Sequence, residues 1–321
     1  MTMRVVIPAD DPPLVGRSRE LDRLRDACEV ILYDDRPASE TEKLRRLQDA
    51  GILLNSRGHV SFSRPLLEQL PRLKMIAVCG IGFDSIDIDA AAERGVVVSN
   101  VPGRTARVVA EHAIALMFSV ARRTAEMTRL LRSGIWSGDL GVALYEKTIG
   151  VVGAGAIGQQ VMHLASALGM RVLYWTFHPD QNRSLPDSAE FADLPELLEI
   201  SDVVSLHVRL SSQSRHLINA ESFQRMKPGA ILINTARGPV VDTEALVHAV
   251  QGGHLSGAGI DVFDQEPIGA DHPLCDCTNV VLTPHSADQT PEGIDLLTAG
   301  CVDNILAFLA GNPSNVVTPS R

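Results

Sequence analysis

Thr148-Ile149-Gly150-Val151-Val152-Gly153-Ala154-Gly155-Ala156-Ile157-Gly158 is the stretch on which the fold turns. Its first five residues form a short apolar run, the signature of a buried strand. The pattern from Ala156 to Leu168 reads as the helix that follows, and three glycines stand between at G-x-G-x-x-G spacing. The turn needs glycine because the backbone bends sharply, meets an incoming pyrophosphate without a Cβ, and lets helix and strand pack closely. The helix N-terminus adds unpaired N–H groups and a partial positive charge. With both flanks present, the motif reads as a dinucleotide cradle formed by Gly153, Gly155, Ala156, Ile157 and Gly158.

Further along, Arg171–Trp175, Val203–His207, Ala230–Asn234, Gly259–Val262 and Val280–Leu282 read as five more strands, with helical patterns between most of them. Six strands of this kind make a doubly wound parallel sheet. Upstream, Val5–Ile7, Val30–Leu32, Ile52–Leu54, Met75–Cys79 and Val96–Val98 alternate with helical segments such as Arg17–Ala27 and Thr41–Ala50, which predicts a second parallel sheet. The α/β fold class therefore comprises two doubly wound parallel-sheet domains. Between them, Thr105 to about Arg132 reads as one long helix, a spacer or subunit contact. Pro291 to Leu309 reads as an amphipathic helix, too little for a domain of its own, that must pack on one of the sheets.

A chain of 321 residues allows about two domains. The formal charge of −10, with no Lys/Arg run, argues against nucleic acid as a partner. No apolar stretch approaches the roughly 20 residues needed to span a bilayer, so no membrane is expected. The start MTMRVVIPADD turns acidic before a signal-length apolar region forms, so a cytoplasmic location is expected. Five cysteines at irregular spacing fit free thiols, and Cys275-x-Cys277 lacks the partners of a zinc site, so no metal is expected. Aromatic residues make up only 4%, which predicts an aliphatic core.

Three pieces stand just beyond expected strand ends, where open α/β sheets collect ligands. They are Asn234-Thr235-Ala236-Arg237-Gly238, Gly259 through Pro267, and Thr283-Pro284-His285. Singly, each has a bland account as surface charge or loop. Together they bring a guanidinium, a carboxylate and an imidazole, a set suited to reducing a 2-keto acid. The guanidinium can grip a carboxylate bidentately, the imidazole can move a proton, and a neighbouring carboxylate would favour and orient the imidazolium.

With these motifs, and with Gly80-Ile81-Gly82-Phe83-Asp84-Ser85-Ile86-Asp87 and Val109-Ala110-Glu111-His112, the sequence resembles the D-isomer-specific 2-hydroxyacid dehydrogenase family over most of its length. That family includes glyoxylate/hydroxypyruvate reductases. The resemblance implies Arg237 as the substrate-carboxylate clamp, His285 as the acid/base and Glu266 as its partner. It also implies the amides of Ile81 and Gly82 at the carboxylate and Asp261 near the nicotinamide carboxamide. His207, Val208, Arg209, Thr235, Ala236 and Ala287 are expected to line the cofactor site. The implied topology is a Rossmann cofactor domain, residues 101–287, inserted into a flavodoxin-like substrate domain, residues 1–100 plus 288–321. A cleft that closes on substrate and a homodimer come with it.

Several positions depart from the family. Thr176 stands where an acidic ribose ligand is expected, and Asp180 follows too late in a loop to replace it. Without that carboxylate a 2′-phosphate is not repelled, and His178, Arg183 or Arg209 can meet one, so the cofactor is NAD or NADP. Arg209 replaces a usual proline, and Ser286-Ala287 replace a hydrophobic residue and glycine after His285. Glu111 and His112, adjacent on a helix, cannot face one site and read as structural. Arg57, in the loop Asn55–His59, reads either as a solvated loop charge or as a cation facing the substrate, and in the second case it favours small polar 2-keto acids, glyoxylate or hydroxypyruvate. Two alternatives stay open at this stage: a phosphite-type dehydrogenase, and a dinucleotide-sensing regulator without catalysis.

Overall fold

The structure is a computed structural model that describes residues 3–58, 60–136 and 138–319. The chain divides into two compact units, residues 1–105 with 289–321, and residues 106–288.

In the first unit, β1 (Arg4–Ile7), β2 (Glu29–Leu32), β3 (Ile52–Ser56), β4 (Met75–Cys79) and β5 (Val97–Ser99) form a parallel sheet of order β2-β1-β3-β4-β5. This is the flavodoxin-like order. Between the strands run α1 (Glu20–Ala27), α2 (Glu40–Leu47), α3 (Arg64–Glu68) and α4 (Ile88–Glu93). The period of two in a strand sorts the side chains onto two faces. Val6, Leu53 and Ile76 pack with Leu47, Leu67 and Ala91 on one side, while Val5, Ile7, Ile52, Leu54 and Met75 pack on the other with Leu21 and Leu24. Arg17–Ala27 is not one helix: a single turn at Val15–Arg17 precedes α1, and the chain bends at Ser18.

The second unit opens with α5 (Ala106–Ala121) and α6 (Thr124–Arg132), followed by β6 (Thr148–Val152), α7 (Ala156–Ala167), β7 (Arg171–Trp175) and β8 (Ala189–Phe191). Then come α8 (Leu194–Ile200), β9 (Val203–Leu206), α9 (Ala220–Arg225), β10 (Ile231–Asn234), α10 (Thr243–Gln251), β11 (Gly257–Ile260) and β12 (Val280–Leu282). The sheet has seven parallel strands in the order β12-β11-β10-β9-β6-β7-β8, with the reversal between β6 and β9 that marks a ligand-binding crevice in open α/β sheets. β8 is the strand that sequence periodicity misses, because three residues at a sheet edge are too few to show a pattern. β11 begins two residues earlier than expected, since its register pairs Ile231 with Gly257 and ends at Ile260. Asp261 and Val262 therefore lie beyond the ladder.

The long helix expected over 105–132 is two helices. Arg123 takes a left-handed backbone (φ 52°), held by ion pairs to Glu126 at 2.7 Å and Asp139 at 3.0 Å. Neither proline nor glycine marks the break. α5 is no spacer: Ala110, Ala113, Leu116 and Met117 are buried against Val161, Ile149, Ile231 and Ile233, in the core of the second unit. α6 buries no residue. The last helix, α11 (Pro291–Leu309), returns to the first unit, where Leu297, Cys301, Val302 and Ile305 join the face that carries α1. No helix among the described residues is long and apolar enough to cross a membrane.

Arg46 joins α2 to the ends of β1 and β2. Its side chain is 2% exposed, donates to Pro8 O, Asp35 O, Asp35 Oδ2 and Glu42 Oε1, and lies 4.4 Å over the Tyr33 ring. Arg46→Leu leaves these acceptors without their donor, and chemical denaturation should show a loss of roughly 3 kcal/mol or more with the fold retained. A loss below about 1 kcal/mol would show that the guanidinium contributes little.

Candidate active site in the second unit

The functional groups come from the C-terminal ends of the parallel strands. At β6 the chain turns through Gly153 with φ 109°, and its N–H donates to Trp175 O at 2.8 Å. A Cβ at Gly158 would lie 1.9 Å from Gly153 O, so α7 can approach the turn only with glycine there. At Gly155 a Cβ would meet nothing within 4 Å, which leaves open space in front of the cradle. No side chain caps α7, and its first bond runs from Gln159 N to Gly155 O, so the N–H groups of Ala156, Ile157 and Gly158 precede the helical ladder. Two polar atoms close in sequence to the strand ends, Thr235 Oγ1 and His207 Nδ1, are buried with no partner among the described residues. Open space, unspent helical donors and orphaned polar atoms together fit a dinucleotide.

His207 follows β9 and shares a 2.8 Å hydrogen bond between Nε2 and Ser205 Oγ. Burial pushes its imidazole down to about 3, so it is neutral at working pH and brings no cation to a phosphate. Val208 is buried beside it and Arg209 is exposed. Thr176 follows β7, and Arg183 folds back over this corner. The guanidinium donates to Ala154 O at 3.1 Å, to Gln181 O at 2.6 Å and to the His178 carbonyl, and lies 3.5 Å from Thr176 Oγ1. Arg183 is thereby anchored on the glycine turn.

After β10, the Asn234 side chain makes a tight turn: Oδ1 accepts from Ala236 N and Nδ2 donates to Arg237 O, both at 3.0 Å. This holds Arg237 in extended backbone, half-buried. Gly238 follows because a Cβ there would stand 2.0 Å from the carbonyl carbon of Phe263. The Phe263 segment leads to Glu266, whose Oε1 accepts from Phe263 N at 2.9 Å and whose Oε2 lies 2.6 Å from His285 Nδ1. Burial pushes the Glu266 carboxyl up. The hydrogen bond and charge of His285, the Phe263 N–H and the charge of Arg237 outweigh it and hold the group below the usual glutamate range. An ionised carboxylate only accepts, so Nδ1 of His285 carries hydrogen and Nε2 remains for chemistry.

His285 itself has a left-handed backbone (φ 49°), unusual for a residue with a Cβ. Asp261 supports it. This fully buried carboxylate accepts from Thr283 Oγ1 at 2.6 Å, Ser286 N at 2.8 Å and Ala287 N at 3.1 Å, and its backbone carbonyl accepts from His285 N at 2.7 Å. Sequence reasoning sets His112 aside, yet its Nε2 lies 3.0 Å from Thr283 Oγ1 and 3.4 Å from Asp261 Oδ1, while Glu111 is exposed. A signal for it exists in the sequence: His112 is three residues after Val109 and four before Leu116, on the flank of the buried stripe of α5.

The first unit carries the remaining expected residues. Ile81 and Gly82 follow β4, and Arg57 follows β3 with a positive φ of 50° in a loop closed by bonds between Asn55 and Val60. His59 of that loop lies outside the described residues.

Comparison with known proteins agrees with this geometry. Residues 114–287 match the family model of the D-isomer specific 2-hydroxyacid dehydrogenase NAD binding domain. A glyoxylate reductase of Thermofilum pendens is 40% identical over 91% of this chain and 88% of its own length. The TT0316 protein from Thermus thermophilus superposes with a TM-score of 0.87 at 38% identity, covering 98% of this chain and 100% of that one. An acyclic imino acid reductase in complex with NADPH and D-Arg superposes with a TM-score of 0.87 at 29% identity, covering 98% and 100%.

Asp261 ties this site of the second unit to pH. Burial pushes its carboxyl up, but bonds from His112, Thr283 and the Ser286 N–H outweigh it and leave the group below its ordinary value of 3.8. A carboxyl lowered in the folded state stabilises it fully above pH 3.8, and that stability is lost as pH falls through the lowered native value. Asp261→Asn should cost roughly 1.5–3 kcal/mol at neutral pH. Urea titrations should also show less additional loss on acidification below that pH than in wild type. Equal acid sensitivity of the two proteins would refute the assignment.

Proposed function

We propose that this chain, which belongs to the D-isomer specific 2-hydroxyacid dehydrogenase family, reduces glyoxylate and hydroxypyruvate. It is an NAD(P)-dependent oxidoreductase of 2-hydroxy acids. The choice of keto acid, the site assignments and the cofactor preference are our reading. One observation carries it: the 2.6 Å contact of His285 Nδ1 with an ionised Glu266, within the field of Arg237.

The bound dinucleotide supplies hydride for the 2-keto carbon and accepts it in the reverse direction. Gly153, Gly155, Ala156, Ile157 and Gly158 hold its diphosphate on the N-terminus of α7. His207, Val208, Thr235, Ala236 and Ala287 line its remaining contacts. Glu266 fixes the ring of His285, so that Nε2 gives a proton to the carbonyl oxygen during reduction and takes one from the hydroxyl during oxidation. Arg237 grips the substrate carboxylate with two parallel N–H donors and draws electron density from the adjacent carbonyl. The amides of Ile81 and Gly82, in the first unit, are assigned to a substrate carboxylate. Arg57 favours substrates with polar tails, because a guanidinium desolvated against a hydrocarbon group loses free energy. Asp261 serves by holding the loop that carries His285.

For the cofactor, Thr176 in place of an acid and Arg183 beside it support a 2′-phosphate, hence NADPH. The acyclic imino acid reductase that superposes on this chain is in complex with NADPH, which supports this reading. A homodimer is supported by α6 and the segment after it, where Trp136 is 93% and Leu140 95% exposed beside Leu131, Ile135 and Tyr145. The thiols are all free, which suits a reducing cytoplasm.

Loss of absorbance of the reduced nicotinamide with glyoxylate tests the assignment. His285→Gln should lower kcat by about 10²–10⁴-fold while leaving dinucleotide affinity nearly unchanged. An unaltered kcat would refute His285 as the acid/base. For the cofactor, Arg183→Ala should raise KM for NADPH by about tenfold, the loss of one charge-assisted contact, and leave KM for NADH within about twofold. Equal effects on both would place Arg183 outside the selector.

A further inference from the structure

Two consecutive carbonyls of the Gly80–Gly82 loop are held from one side. Val101 N donates to Gly80 O at 2.9 Å, and Asn100 Nδ2 donates to Ile81 O at 2.7 Å. In a trans peptide the C=O and the following N–H point in opposite directions. The two bonds therefore aim the N–H groups of Ile81 and Gly82 away from residues 100–101, and neither donates to another group among the described residues. A pair of amides with their carbonyls pinned is a preorganised anion site.

Asn100 is itself held from the far end of the chain. Asn304, 1% exposed on α11, donates from Nδ2 to Asn100 O at 2.8 Å. Its Oδ1 accepts from Ser314 Oγ at 2.9 Å and Asn315 Nδ2 at 2.8 Å. The backbone joins in: Asn100 N donates to Asn315 O, Ser99 bridges Val316, and Val317 N donates to Val98 O. A buried asparagine on a helix that also buries Leu297, Cys301, Val302 and Ile305 carries a desolvation cost that hydrogen bonding must offset. Here each of those bonds leads to the tail or to Asn100, and through Asn100 to Ile81.

We propose that Asn100 is a positioning residue for the carboxylate subsite, and that Asn304 with the tail at Ser314–Asn315 sets Asn100. The inference rests on the assignment of the Ile81 and Gly82 amides to the substrate carboxylate made above. The C-terminal helix and tail then act on substrate affinity without touching substrate: loosening Asn100 frees the 81–82 peptide to rotate and spoils the aim of the Gly82 N–H.

The test is steady-state kinetics with glyoxylate on the full chain, alongside thermal melting. Asn100→Ala should raise KM for glyoxylate by about tenfold, the effect of one misaligned hydrogen bond, with kcat within about threefold and KM for the dinucleotide unchanged. Asn304→Ala should raise the same KM by a smaller factor, about threefold. If that variant does not fold, Ser314→Ala combined with Asn315→Ala removes only the outer donors, and any KM rise should again be confined to glyoxylate. A lower melting temperature with unchanged KM in Asn100→Ala would make the network merely structural and overturn the proposal alone. Absence of glyoxylate turnover in wild type would instead overturn the proposed substrate, and this inference with it.

Discussion

The Asp261 carboxylate is the constraint on which the second unit's site depends. It sits one residue past the end of β11, fully buried, and gathers a hydroxyl and two backbone N–H groups from the loop after β12. Those bonds hold His285 in a left-handed conformation that a residue with a Cβ adopts reluctantly. His285 then meets Glu266, which the tight approach at Gly238 places by fixing the Phe263 backbone. A charge this deep is tolerated because its neighbours supply donors on every side, His112 of α5 among them.

The cofactor side follows a different logic, built on what is left out. Glycine at 153, 155 and 158 removes side chains so that strand, helix and ligand can share a small space, and the helix terminus supplies donors without a side-chain cap. The polar atoms at Thr235 and His207 are buried without partners among the described residues, a cost that a native chain carries where a ligand completes the bonding. Arg183, drawn onto the Ala154 carbonyl, links this cradle to the corner at Thr176.

Much of the site is legible without any coordinates. Arg237, Glu266 and His285 each follow a strand end, and strand ends can be read from short apolar runs. Their mutual geometry cannot be read that way, because Glu266 and His285 are nineteen residues apart and meet only when β11 and β12 pair. His112 escapes a reading in which adjacency to Glu111 disqualifies both. On a helix neighbours diverge by about 100°, so one can face the core while the other faces water.

Local pattern dictates the architecture: two parallel sheets with aliphatic cores, a glycine turn after the first strand of the second sheet, and candidate residues at strand ends. These follow from periodicity and from the backbone demands of glycine, which a linear chain displays. Long-range packing settles the break at Arg123, the edge strand β8, the docking of α11 on the first unit, and the threading of Asn304 to Ile81. Each of these depends on groups far apart in the chain, whose hydrogen bonds and ion pairs exist only once the fold has brought them together.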